Sequence, residues 1–136
     1  MKIKSILLLT FSIALLPATA QKQVYIPKDL KGYALENDTS RWCWKHSAQT
    51  ENLVFMWEKG FGNDTYNPPT LDGHTMSIDL GNLEDRVEGF YRYFRDTLKF
   101  SLPGSKADYY KMMVMINYSL EGTAYGGDYD NFIGAL

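Results

Sequence analysis

The hydrophobic pattern changes period several times along this chain. Residues 1–20 open with Lys2 and Lys4, run almost unbroken apolar over 6–16, and end in Pro17 and the small residues Ala18, Thr19 and Ala20. A positive start, an apolar stretch too short to cross a bilayer and a small-x-small site together read as a secretory signal cleaved near Ala20. Residues 21–39 are polar and broken by Pro27, Gly32 and Asn37-Asp38. They predict an irregular lead-in with one short extended piece over 24–26. Residues 41–46 alternate, Trp42 and Trp44 on one side and Cys43 and Lys45 on the other, which is the period of a strand. Residues 47–51 are expected to turn it back onto residues 52–58. There the apolar run with Val54, Phe55 and Trp57 suits a strand covered on both faces. Gly60, Gly62, Asn63 and Asp64 then open a long loop that reaches Gly73 through Pro68-Pro69.

Residues 83–98 carry the period of a helix. Leu83, Val87, Phe90, Tyr91, Phe94 and Leu98 form one apolar stripe, with Asn82 or Asp79 as N-cap. Glu84 and Asp85 suit the positive end of the dipole, Lys99 the other end, and Glu88 and Arg92 make an i,i+4 pair. Gly89 inside costs about 1 kcal/mol against alanine, so it is expected to mark a close crossing. After Pro103-Gly104, residues 109–118 predict a second buried strand. Residues 122–131 predict a glycine-rich loop, and Phe132, Ile133, Gly134, Ala135 and Leu136 read as the first half of another strand. The expected fold is α+β, a mixed sheet of three or four strands with one long amphipathic helix. It forms a single domain over 21–136 that is itself the N-terminal part of a larger one.

Composition narrows the function. A net charge of −2 gives no electrostatic footprint for nucleic acid, and loss of the signal's two lysines makes the mature chain more acidic still. A single Cys excludes a disulfide framework and a thiolate-rich metal site. No second apolar run has membrane length, so a secreted or periplasmic protein is expected, with no membrane partner after cleavage.

Candidate chemistry is sparse. On a strand, Cys43 and His46 point to opposite faces and cannot chelate, which predicts a buried Cys43 and a surface His46. Cys43 as nucleophile with His74 as base is disfavoured, because burial between tryptophans makes a thiol inert. No G-x-S-x-G elbow is present. Asp128 and Asp130 give a D-x-D start, but Phe132 takes the next calcium-ligand position. Tyr125, Asp128 and Asp130 therefore stand only as loop contacts. Trp42, Trp44, Tyr66, Tyr125 and Tyr129 are candidates for a sugar-stacking surface, against the alternative that they fill the core. Asn37-Asp38-Thr39, Asn63-Asp64-Thr65 and Asn117-Tyr118-Ser119 match the N-glycan acceptor pattern.

Three segments carry a resemblance. They are Tyr25-Ile26-Pro27-Lys28-Asp29-Leu30, then 51–62 (ENLVFMWEKGFG), then 126–136 (GGDYDNFIGAL). Together they resemble a secreted bacterial family known only as a domain of unknown function. The resemblance implies a zincin-type metallopeptidase that continues into a helix with a His-Glu-x-x-His zinc motif. In such enzymes the strand before that helix lies at the cleft edge and pairs with extended substrate. Phe132, Ile133, Gly134, Ala135 and Leu136 would fall there. The zinc helix is not in this sequence. No catalytic residue, metal ligand or cofactor is therefore carried over, and zinc belongs to a longer product. The alternative is a small extracellular module that binds glycan or extended peptide through its aromatic residues.

Overall fold

The computed structural model describes residues 21–122. In chain order these form β1 (Gln23–Val24), α1 (Lys28–Lys31), β2 (Ser47–Gln49), β3 (Leu53–Trp57), α2 (Leu80–Arg92), α3 (Lys106–Tyr109) and β4 (Tyr110–Ile116). The strands make one mixed sheet of order β1-β4-β3-β2. The central pair β3 and β4 is parallel, with Phe55 opposite Val114. β2 runs antiparallel to β3 and β1 parallel to β4. Parallel neighbours need a crossover, and α2 supplies it. The expected α+β architecture is present.

The sheet is buried on both faces. Pleating sends Leu53 and Phe55 to one side, where Val114 joins them and Leu80, Leu83, Val87 and Tyr91 of α2 pack on top. Val54 and Met56 face the other way and meet Met113, Leu30 and Trp42. Every residue of β3 is therefore buried, which explains its unbroken apolar run. Burying a side chain such as Phe55 contributes about 1.5–3 kcal/mol.

α2 begins where a cap is available: the Asp79 carboxylate accepts the Asn82 N–H at 3.0 Å. Past Arg92 the helix widens into a π turn over Tyr93–Thr97, closed by Leu98 N–H donating to the Tyr93 carbonyl at 3.0 Å. Lys99 ends it in the left-handed region at φ 56°. The Glu88–Arg92 pair forms, Arg92 Nε to Glu88 Oε1 at 3.1 Å.

Several expectations are corrected. Residues 41–46 are not a strand. Trp44 N–H donates to the Leu35 carbonyl and His46 N–H to the Cys43 carbonyl, so the backbone winds into a 3-10 turn over Trp44–His46. The strand is the next segment, Ser47–Gln49, and the reversal falls at Thr50, whose N–H donates to the Leu53 carbonyl. Gly89 marks no crossing, since a Cβ built there meets nothing within 4 Å. β1 begins one residue before the expected extended piece. The signal and the loop and strand expected beyond residue 122 lie outside the described residues. Among the described residues no helix is long and apolar enough to cross a membrane.

Candidate functional site

The far end of α2 and the chain that follows it enclose an open groove of about 630 Å³. Tyr91, Phe94, Phe100, Leu102, Ala107 and Met112 line it, and Arg95 and Lys106 add two cations. Phe90, Phe94 and Leu98, expected on the core stripe, are not among the residues of the helix that pack against the sheet, which are Leu80, Leu83, Val87 and Tyr91. Phe94 is 47% exposed, Phe90 62%, Phe100 77% and Leu102 74%. Phe94 and Phe100 stack edge to face with centroids 5.4 Å apart, continuing the ring string from Tyr93.

Beside the groove lies a polar clamp. The Glu88 carboxylate accepts from Thr50 Oγ1 at 2.5 Å, from Asn52 N–H at 3.2 Å, from the Asn52 side-chain amide, and from Arg92 Nε at 3.1 Å. Arg95 Nη1 donates to Asn52 Oδ1 at 2.9 Å, and Arg92 Nη2 pairs with Glu51 at 2.8 Å. Burial pushes the Glu88 carboxyl up. The bonds from Thr50, Asn52 and Arg92 together outweigh it and hold the group below the usual carboxylate range. The clamp fixes α2 to the β2–β3 turn. All its buried polar atoms are paired, so it acts as a structural tie.

On the other side of the clamp a polar pocket of about 500 Å³ is lined by Gln21, Lys22, Gln49, Glu51, Asp108 and Lys111, with Thr50. Lys22 Nζ donates to the Ala107 carbonyl at 2.5 Å and to Tyr91 Oη at 3.2 Å. Burial and then the nearby Arg95 charge lower its pKa from the ordinary value. Buried Lys111 donates to Gln49 Oε1 at 3.1 Å and the Thr50 carbonyl at 2.6 Å.

Cys43 and His46 give the clearest surprise. The 3-10 turn brings them to the same side, Sγ to Nδ1 3.6 Å, and His46 is buried rather than at the surface. Its ring lies tilted on Trp57 at 6.2 Å. The sulfur's other polar contact given by the structure is a weak donation to the Asp38 carbonyl at 4.0 Å. Among the described residues no group of three or more His, Cys, Asp or Glu stands close enough to hold a metal ion. These residues do not fit a zinc centre.

Of the other sequence candidates, Trp42 is buried, Trp44 packs half-buried on the core and Tyr66 is exposed. Trp42 is thereby closed to a stacking ligand, and Tyr129 lies outside the described residues. His74 sits exposed in a small bridge with Leu71, remote from Cys43 in the sequence and in a separate loop. Tyr125, Asp128, Asp130, Phe132, Ile133, Gly134, Ala135 and Leu136 lie outside the described residues. The sequence reading passed over Phe100 and Leu102. The signal for them was present: apolar residues continue beyond Leu98 at Phe100 and Leu102, before Pro103-Gly104.

Residues 17–136 match a family of unknown function, DUF6055. The chain belongs to that family. No curated protein and no solved structure matches it. In this DUF6055 chain the segment 51–62 has a physical role at nearly every step. Glu51 and Asn52 enter the clamp, and 53–57 is the central strand. Glu58 pairs with Arg41 at 2.7 Å. Trp57 Nε1 donates to the Gly62 carbonyl at 3.3 Å across the short turn Lys59–Phe61. Gly60 has to lack a side chain because a Cβ there would lie 2.4 Å from the Tyr118 ring. Gly62 has φ 70° and ψ −151°, a conformation left almost entirely to glycine.

Proposed function

We propose that this chain is the scaffold half of an exported, zincin-like metallopeptidase domain. It would supply the sheet and crossover helix and leave zinc ligands and general base to a further segment. The observation that carries the reading is the uncovered apolar end of α2. Large contiguous apolar patches on a folded domain mark a surface that another layer covers. The zincin assignment is supported by the resemblance of 25–30, 51–62 and 126–136 and by the strand-helix-strand order. Export is supported by the pattern of 1–20. No step of peptide hydrolysis is assigned to the described residues. The test is a longer natural product carrying a His-Glu-x-x-His segment. One zinc per chain is expected, lost when both histidines of that segment are replaced, with slower amide exchange at the end of α2 than in the present chain. A longer product without zinc overturns the peptidase reading. Unchanged exchange overturns the scaffold reading.

A second reading is favoured by the groove itself. Its apolar lining suits an extended apolar peptide better than a sugar, since Trp42 and Trp57 are buried in the core. Saturable binding of such a peptide by the present chain, abolished by Phe94→Asp, would favour it over the scaffold reading.

A further inference from the structure

Gln21 is exposed and stands two residues before β1. Cleavage after Ala20, as the export reading expects, makes it the first residue of the mature chain. A terminal glutamine carries a nucleophile and an electrophile in one residue: its α-amine can reach its own side-chain amide through a five-membered ring. Such a pairing is worth a very high effective concentration without any second molecule.

We infer that Gln21 is a modification site and that the exported chain begins with pyroglutamate. This rests on the export reading. In the step, the neutral α-amine nitrogen attacks Cδ of Gln21 and a new N–C bond closes the lactam. The bond from Cδ to Nε2 breaks, and Nε2 leaves as ammonia with the proton given up by the amine. Atoms and charge balance without oxidant or co-reactant.

The surroundings leave room for that product. β1 pairs with β4 in the register Gln23 to Tyr110, so only Gln21 and Lys22 precede the sheet and the terminus is tethered beside the polar pocket. Two ammonium groups are already fixed there. Lys22 is held by Ala107 and Tyr91, and Lys111 by Gln49 and Thr50. The acids of the pocket are Glu51, which is paired with Arg92, and Asp108, which accepts the Gly104 N–H. A free terminus would add a third positive charge to this cluster. The lactam removes the charge altogether. It also leaves no free amine for an aminopeptidase at an end that is exposed.

The test reads the N-terminus of the chain secreted with its own leader. The expected first peptide starts at Gln21 and is lighter by one ammonia. It resists stepwise degradation until a pyroglutamate-specific peptidase removes the ring, after which Lys22, Gln23 and Val24 are read. A free amine on Gln21 overturns the inference and leaves the export reading standing. A first residue other than Gln21 overturns both the inference and the cleavage on which it rests.

Discussion

The two ends of α2 are made of similar residues and meet different surroundings. Leu80, Leu83, Val87 and Tyr91 lie on Leu53, Phe55 and Val114, and the helix starts on a capping carboxylate. Past Arg92 the same kind of apolar side chain stands in the open, around a π turn and a groove. Glu88 sits at the boundary, its carboxylate tied to the β2–β3 turn by three bonds and to Arg92 of its own helix by a fourth. The difference teaches that helical periodicity reports which side of a helix is apolar. Whether that side is covered depends on what packs against it: Phe90, Phe94 and Leu98 belong to the apolar stripe and are exposed. The covered end should hold the fold together, and the open end should be nearly free to change.

The largest effect is expected at the seat of the covered end. Phe55 is fully buried on the sheet face beneath α2, so Phe55→Ala should cost about 3–5 kcal/mol in urea denaturation. A cost near zero would mean that the two ends do not differ as described. Next comes the boundary. Glu88→Gln keeps the shape but removes a charge that accepts from Thr50, Asn52 and Arg92, and should cost about 2 kcal/mol at neutral pH. The pH dependence follows from the direction of its shift. A carboxyl held below its unfolded value stabilises the fold above the ordinary glutamate pKa, about 4.3, and that contribution is lost as pH falls through the lower folded value. The gap between wild type and Glu88→Gln should therefore be full at pH 7 and close on acidification through that window. A gap that widens on acidification contradicts the clamp.

Much of the covered end was legible in the sequence. The unbroken apolar run of β3, the period of α2 and its Asp79 cap, and the Glu88–Arg92 pair all follow from local pattern. What was not legible depends on contacts between distant residues. Alternation over 41–46 satisfied the strand template, but the bond from Trp44 to Leu35 diverts the backbone and brings Cys43 to His46. A costly helical glycine points to a packing role for Gly89, yet the space beside it is empty. The groove lies along a π turn, a change of pitch that no hydrophobic count reveals. The clamp needed Asn52 and Glu88, thirty-six residues apart, to be seen as neighbours.

The cap offers a smaller test of the covered end. Asp79→Ala removes the one side-chain acceptor for Asn82 N–H and should cost about 1 kcal/mol, read as a lower midpoint with unchanged slope. A shift as large as that of Glu88→Gln would place the start of α2, rather than the clamp, in control of the helix.

The smallest effect is expected in the open groove. Leu102 is 74% exposed and lies in the turn between α2 and α3, so Leu102→Ser removes little apolar contact. Its stability change should stay within about 0.5 kcal/mol, the range of ordinary surface substitutions. Binding of an apolar fluorescent dye should fall in the same variant, because Leu102 lines the groove beside Phe94 and Phe100. The two readouts separate the alternatives. A cost well above 1 kcal/mol would show that something in the chain already covers Leu102, and the contrast between the two ends would collapse. A negligible cost here, joined to a cost of about 2 kcal/mol or more for the same substitution in a longer product, is the signature of burial by a second layer. The groove would then be an interface that this half presents to the rest of its domain.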